Sequence, residues 1–167
     1  MRFVLEKITE LNGLYVHELR VRLSAEKQML DLIARLIESV SDENLKSALK
    51  VHRTETENHI TRLDSLLSRS TADGNPIKSK AASFFKDEVE SAIMDTASNS
   101  VRDAALIGVA RRMQQYEVTS YDEIGSWAKT LKLDADLEIL NQILRDEESL
   151  AQKLMDVSRH FSVEATS

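Results

Sequence analysis

Four glutamates of this chain stand in apolar stripes that repeat at helical spacing: Glu26, Glu55, Glu117 and Glu147. The members of the first pair are 29 residues apart and those of the second pair 30, so each pair can stand level in its own helical hairpin. A buried carboxylate costs several kcal/mol unless it is compensated. Four acids at one level of a core require metal ions or shared protons, and the pattern therefore predicts a carboxylate metal centre.

The helical face separates these acids from their neighbours. Glu57 groups with Lys46, Lys50 and Arg53, and Glu148 lies beside polar side chains, so both belong to solvated faces. For a single glutamate of this kind, a half-buried surface acid is the ordinary alternative. The argument for metal therefore depends on all four acids lying at matched heights.

Two histidines flank Glu55 at helical spacing. His52 precedes it by three residues and His59 follows it by four, which puts all three on one face. Imidazole is a suitable terminal ligand for Fe or Mn beside carboxylates. A hydrogen-bonded core position is the alternative for each histidine taken alone. The predicted dinuclear Fe or Mn site comprises Glu26, Glu55, Glu117, Glu147, His52 and His59.

The histidine pattern departs from that of most di-iron bundles, which place Glu-x-x-His on two helices. No glutamate of this chain has a histidine three residues later. In the second helix the order is reversed, from His52 to Glu55, and no histidine lies near Glu147. The predicted site is therefore rich in carboxylates, and both of its histidines come from the second helix.

The elements that must position these side chains are helices. Periodicity predicts two hairpins, with turns at residues 39–43 and 131–135, and polar breaks at 70–76 and 96–100. Each glutamate pair lies about 20 Å from its own turn at 1.5 Å per residue. A connector of about 30 residues, with an extra helix near Ser79–Met94, joins the hairpins. The predicted fold is an all-α, ferritin-like four-helix bundle with one long crossover.

Composition limits the class of protein. The 167 residues fit one domain, 1–167, with a core over about 3–157 and a loose tail at 158–167. The net charge of −6 and the lack of basic runs argue against a nucleic-acid partner. There is no Cys, which excludes thiolate ligands. No signal-peptide core or membrane-length apolar run is present, so no membrane association and a cytoplasmic location are expected.

Five short strings of this chain occur together: SAEKQ at 24–28, HRTET at 52–56, VRDAALI at 101–107, YEVTSY at 116–121 and DEE at 146–148. Together they resemble the YciE/YciF family of bacterial ferritin-like proteins. The similarity covers about residues 3–157, and the motifs occur in the family's order. This chain departs from its relatives at Thr54, Ser79 and Gln115, where they often carry Glu, Cys and His.

The resemblance implies a stress-linked, usually dimeric cytoplasmic protein with a di-iron or di-manganese site. The family's inward acids fall on the four glutamates, with His52 beside them, while position 59 varies between His and Gln. By ferritin-like analogy, Glu55 and Glu147 would bridge two ions that Glu26 and Glu117 cap. Peroxide or O₂ would be the small oxidant.

A non-enzymatic helical scaffold is the competing hypothesis. Its inward acids would be protonated or paired with arginines such as Arg22 or Arg112, and they would serve specificity. Dimerisation or binding of a partner would then be its function.

Overall fold

The computed structural model describes residues 7–70 and 75–164, the last three by their backbone alone. Over these ranges the chain is helical and contains no strand, which confirms the all-α class. The helices are α1 Leu11–Ser39, α2 Glu43–Ser68, α3 Lys80–Met94, α4 Asn99–Thr130 and α5 Asp134–Glu164.

Short polar side chains begin three of the helices. Asp42, Ser79 and Ser98 each accept a hydrogen bond from the backbone N–H three residues later, at the starts of α2, α3 and α4. These caps satisfy backbone donors that no helical carbonyl can reach. The predicted turns at 39–43 and 131–135 therefore match the ends of the helices, and the break at 70–76 lies partly outside the described residues.

The C-terminal segment differs from its prediction. Helix α5 continues to Glu164, so residues 158–164 are helical instead of forming a loose tail, and residues 165–167 lie outside the described part. Val157 and Phe161 pack against the core from this last stretch. They continue the spacing of Leu150 and Leu154, which keeps the apolar stripe facing the bundle.

Packing brings the four long helices together. α1 lies against α2 and α4 against α5, and further contacts join α2 to α5 and α1 to α4. The short helix α3 lies across α1 and α4. Each long helix therefore contacts two of the others around a common interior, with α3 on one side.

The interior contains two apolar clusters. The first contains Met29, Ile33, Leu49, Leu106, Met113 and Leu150 among others. The second contains Leu19, Leu23, Leu63, Tyr121, Ile124 and Ile143 among others. Along every long helix the sequence passes from one cluster to the other through buried polar residues. We call these the polar layer, which consists of Glu26, His52, Thr56, His59, Gln114, Glu117 and Glu147.

A buried carboxylate fixes the turn between α1 and α2. Asp103, on α4, is 3% exposed and accepts hydrogen bonds from the backbone N–H groups of Ser41 and Asp42 at 2.8–3.2 Å. The side chain of Asp42 also caps the N-terminus of α2. The contact therefore ties the start of α2 to α4, and it sets the position of the α2 side chains in the polar layer.

Replacing Asp103 with Ala is expected to destabilise the protein by about 2–3 kcal/mol, because charge-assisted bonds are lost and two backbone donors are left without a partner. Asp103→Asn keeps one accepting oxygen and should lose less. Urea unfolding of both variants measures the difference. Equal stability of Asp103→Ala and the wild type would contradict this role.

Within residues 7–70 and 75–164, no helix combines the length and the apolar character that crossing a bilayer requires.

Candidate metal centre

The polar layer collects the chemistry-bearing side chains from all four long helices. Glu26 comes from α1, His52 and His59 from α2, Glu117 from α4 and Glu147 from α5, and each is at most 1% exposed. His52 and His59 are seven residues apart, about two helical turns, so both face inward. Five of the six predicted ligands therefore lie together in the interior.

These five residues form two groups that share one carboxylate. Glu26, His59 and Glu147 make the first group, and His52 and Glu117 join Glu147 in the second. Within each group one donor atom from every residue lies within 4.8 Å of the others. Glu147 alone belongs to both buried groups, so it would be shared by ions held in the two groups.

The distances between individual donor atoms are short in both groups. His59 Nδ1 lies 2.9 Å from Glu147 Oε1 and 3.9 Å from Glu26 Oε1. In the second group, His52 Nε2 lies 3.5 Å from Glu117 Oε2.

Many donor atoms of these groups have no hydrogen-bond partner. They are one oxygen each of Glu26 and Glu147, both oxygens of Glu117, and both ring nitrogens of each histidine. A buried polar atom without a partner costs about 1–3 kcal/mol. A divalent cation would satisfy several of these atoms at once, so the residues present fit a metal ion.

Neighbouring polar side chains hold the carboxylates in place. The Tyr121 hydroxyl donates to Glu26 Oε1, and the Gln114 amide donates to Glu147 Oε2. The same amide nitrogen donates to the Glu147 carbonyl at 3.0 Å. Such outer contacts fix the orientation of ligands and tune a bound metal.

One buried cation accompanies the acids. Among the described residues, Arg22 is the only Arg or Lys that is buried, and its Nη2 donates to the Tyr116 hydroxyl at 2.8 Å. Its Cζ lies 4.7 Å from the centroid of the Tyr116 ring. Burial lowers the pKa of Arg22, but Tyr121, Tyr116 and the carboxylates Glu117 and Glu26 more than offset it, so its pKa is raised. Arg22 therefore stays charged beside the buried acids Glu26 and Glu117.

The electrostatics of the layer favour a shared proton or a further cation. Burial, followed by the charges of Glu117 and Glu147, raises the pKa of Glu26 well above 4.5, and the Tyr121 bond and Arg22 only partly oppose this. Burial lowers the pKa of His59, but the close approach of Glu147 and the charges of Glu117 and Asp146 raise it overall. Arg22 alone thus leaves the negative charge of the layer incompletely balanced.

Glu55 departs from the predicted arrangement. It is half-buried at the edge of the bundle where α2 meets α5, which we call the rim, and it belongs to neither buried group. The buried face of α2 instead contains His52, Thr56 and His59. A neighbouring helical position is rotated by about 100°, so Glu55 is displaced sideways from Thr56. It groups instead with His59 and Asp146.

The comparison with known proteins agrees with the sequence resemblance. The model of one family, a domain of unknown function designated DUF892, matches residues 10–166. The chain belongs to the DUF892 family. This DUF892 chain is 32% identical to protein YciF of Escherichia coli over 149 residues, which cover 89% of the chain and 90% of YciF.

Solved structures resemble the whole DUF892 chain. The crystal structure of the E. coli stress protein YciF matches with a TM-score of 0.88 at 30% identity, over 93% of this chain and 98% of that one. A Rhodopseudomonas palustris protein described as YcfI, a putative structural protein, matches at 0.86 and 26% identity, over 91% and 97%. A Xanthomonas campestris protein at 17% identity shares the fold, with a TM-score of 0.76 over 93% and 95%.

The three positions at which the resemblance implies departures from the family lie away from the polar layer. Thr54 and Gln115 are exposed, and Ser79 is the buried cap of α3. A histidine at position 115 would point outward, so its absence removes no imidazole from the interior.

Two residues that support the layer were not among the predicted site residues. Gln114 and Tyr121 lie three residues before and four residues after Glu117, and this spacing places all three on one face of α4. The periodicity thus carried a signal for both. Next to Glu147, the half-buried Asp146 is held by Arg62 at 2.7 Å and Gln142 at 3.1 Å.

Proposed function

We propose that this protein is a ferritin-like four-helix bundle that binds two Fe or Mn ions and uses them against small oxidants under stress. The observation that carries the proposal is the sharing of Glu147 by two buried groups in which most donor atoms lack hydrogen-bond partners. The stress-protein description of E. coli YciF, extended to this chain as part of the proposal, supports the physiological setting.

The donor atoms divide between two ions. Glu26 and His59 would hold one ion, His52 and Glu117 the other, and Glu147 would bridge both. Mixed carboxylate and imidazole ligands suit Fe and Mn. This division places one imidazole on each ion, although both histidines come from α2.

The chain's own residues hold this site and keep it dry. When bound, Fe or Mn would supply one-electron redox exchange with peroxide or O₂. Tyr121 and Gln114 orient Glu26 and Glu147 through hydrogen bonds, and Arg22 provides fixed positive charge. The apolar clusters on both sides exclude water from the layer.

Metal content of the purified protein tests the proposal directly. Protein prepared without added metal, and then loaded anaerobically with Fe²⁺ or Mn²⁺, should hold about two ions per chain. Fewer than about 0.2 equivalents, without recovery on loading, would refute a metal-dependent function.

A helical scaffold is the second candidate, favoured by the description of the R. palustris relative as a putative structural protein. The double substitution Glu26→Gln and Glu117→Gln separates the two functions. A metalloprotein should lose bound metal and the rise in melting temperature that metal gives the wild type. A scaffold should show no metal-dependent rise in either form, whereas the metal-free variant should melt higher under both hypotheses because less charge is buried.

We further propose that the chain pairs with a second copy of itself. Large apolar side chains are exposed on α3 and the start of α4: Phe84 is 56%, Met94 79% and Val101 57% exposed. Light scattering should give about twice the mass of one chain, and Phe84→Ser should lower the measured mass by weakening an apolar contact. An unchanged dimer mass in Phe84→Ser would place the interface elsewhere, and a monomeric wild type would refute pairing.

A further inference from the structure

A third group of donor atoms lies at the rim of the bundle. One ligand atom each of Glu55, His59 and Asp146 lies within 4.8 Å of the others. Glu55 and Asp146 are half-buried, whereas His59 is 1% exposed. The group thus reaches from the surface of α2 and α5 to a buried imidazole that also belongs to the inner site.

His59 lies between the inner site and the rim group of Glu55 and Asp146. Its Nδ1 faces Glu147 at 2.9 Å, and its Nε2 faces Asp146 Oδ2 at 3.5 Å. Neither nitrogen has a hydrogen-bond partner, although the ring is buried. One imidazole therefore offers a nitrogen to the inner site and another to the rim.

An arginine holds the rim carboxylate. Arg62 Nη1 lies 2.7 Å from Asp146 Oδ2, and Gln142 donates to Asp146 Oδ1 at 3.1 Å. The Arg62 side chain is 32% exposed, so its guanidinium can swing into solvent. A divalent cation arriving at Asp146 would take the place of the charge that Arg62 now provides.

We propose that Glu55, Asp146 and His59 form an outer site that captures a divalent cation of the Mn²⁺ or Fe²⁺ class and passes it through His59 to the inner site. The transfer rests on the proposed function, because it requires an inner site to fill. Two carboxylates and one imidazole suit such ions. A neutral imidazole has one free lone pair, so His59 binds on one side at a time and the outer site empties as the inner one fills.

The first test measures the rate of filling. Metal-free protein is mixed with Mn²⁺, the reaction is stopped with EDTA at timed intervals, and retained Mn²⁺ is counted. Glu55→Gln should reach the wild-type amount at least about tenfold more slowly, an effect of the size seen for residues that support metal sites. Glu57→Gln, an exposed acid two residues along α2, should fill at the wild-type rate.

Three results would overturn the outer site. Filling of Glu55→Gln at the wild-type rate would show that no capture occurs there. A lower final amount would make Glu55 an inner ligand. If Glu57→Gln filled as slowly as Glu55→Gln, the slower filling would be due to the loss of general negative surface charge.

The second test separates this inference from the proposed function. In the Glu26→Gln, Glu117→Gln background, checked for helicity by circular dichroism, Mn²⁺ titration followed by EPR should show one weakly bound ion. Adding Glu55→Gln should abolish it, and Arg62→Ala should tighten it by freeing Asp146. Two tight ions in the wild type, together with no weak ion in the Glu26→Gln, Glu117→Gln variant, would refute only the outer site. A weak, Glu55-dependent ion without tight binding in the wild type would refute the proposed inner site and the transfer, while supporting capture at the rim.

Discussion

Glu147→Gln is expected to abolish tight binding of both metal ions. Glu147 is the one residue common to both buried groups, and an amide nitrogen in place of a carboxylate oxygen cannot act as a ligand. Substituting residues that only support a metal site already costs 10–100-fold in affinity, so loss of the shared ligand should weaken binding by more than about 100-fold. Metal analysis after dialysis, and Mn²⁺ titration followed by EPR, measure the loss.

A neighbouring residue provides the matched control. Glu148 is exposed on the same helix, so Glu148→Gln removes the same charge without touching the polar layer. It should bind both ions as the wild type does. Retention of two tightly bound ions by Glu147→Gln, with native helicity by circular dichroism, would contradict the assignment of Glu147 as the bridge.

Glu26→Gln is expected to stabilise the metal-free protein at neutral and higher pH. Burial and two neighbouring acids raise the pKa of Glu26 well above 4.5 in the folded state. Below the unfolded pKa both states hold the proton, and its stabilising effect is fully present. As pH rises toward the folded pKa, the unfolded state releases the proton first, and stability falls by up to about 1.4 kcal/mol per pH unit. Glutamine does not titrate, so the variant does not lose this stability as pH rises.

Urea unfolding in EDTA from pH 5 to pH 8 measures the effect. The stability of the variant relative to the wild type should increase with pH, and it should reach about 1–4 kcal/mol, the gain seen when buried ionic groups are replaced. Glu38→Gln, an exposed acid on the same helix, should follow the wild-type curve. A stability difference that stays constant across this pH range would contradict a raised Glu26 pKa.

The helices and turns were predictable because a single physical signal defines them. Apolar residues recur at helical spacing through all four long segments, and short polar residues mark the breaks between them. The same stripe continues through Val157 and Phe161, so the sequence also contained the signal for the last turns of α5. Over residues 158–164 the predicted loose tail was therefore wrong, for a reason that the periodicity itself supplies.

The displacement of Glu55 from the buried groups has a different cause. Leu45, Ala48, Leu63 and Leu66 are compatible with an inward face centred on either Glu55 or Thr56, since the two positions differ by one residue. In the polar layer no apolar side chain fixes the centre of the stripe. Only the packing of α2 against α1 and α5 decides that Thr56 points inward and Glu55 lies at the rim.

Contacts between distant helices could not be predicted either. The bond from Arg62 to Asp146 joins positions 84 residues apart, and the bond from Tyr121 to Glu26 joins positions 95 apart. Helical periodicity reports which side of a helix faces the core but not which neighbouring side chain it meets there. The bridging role of Glu55 remains a prediction of the family resemblance, whereas the geometry favours Glu147.

The division of the interior into two apolar clusters has a consequence for how the chain opens. In most small domains the centre of the core exchanges its backbone amide protons last. Here the centre is the polar layer, whose acids repel one another when no metal ion lies between them. Without metal, the amides of α2 and α4 near His52–His59 and Gln114–Glu117 should become the easiest interior ones to exchange, so the bundle would open from its middle while both apolar ends stay closed.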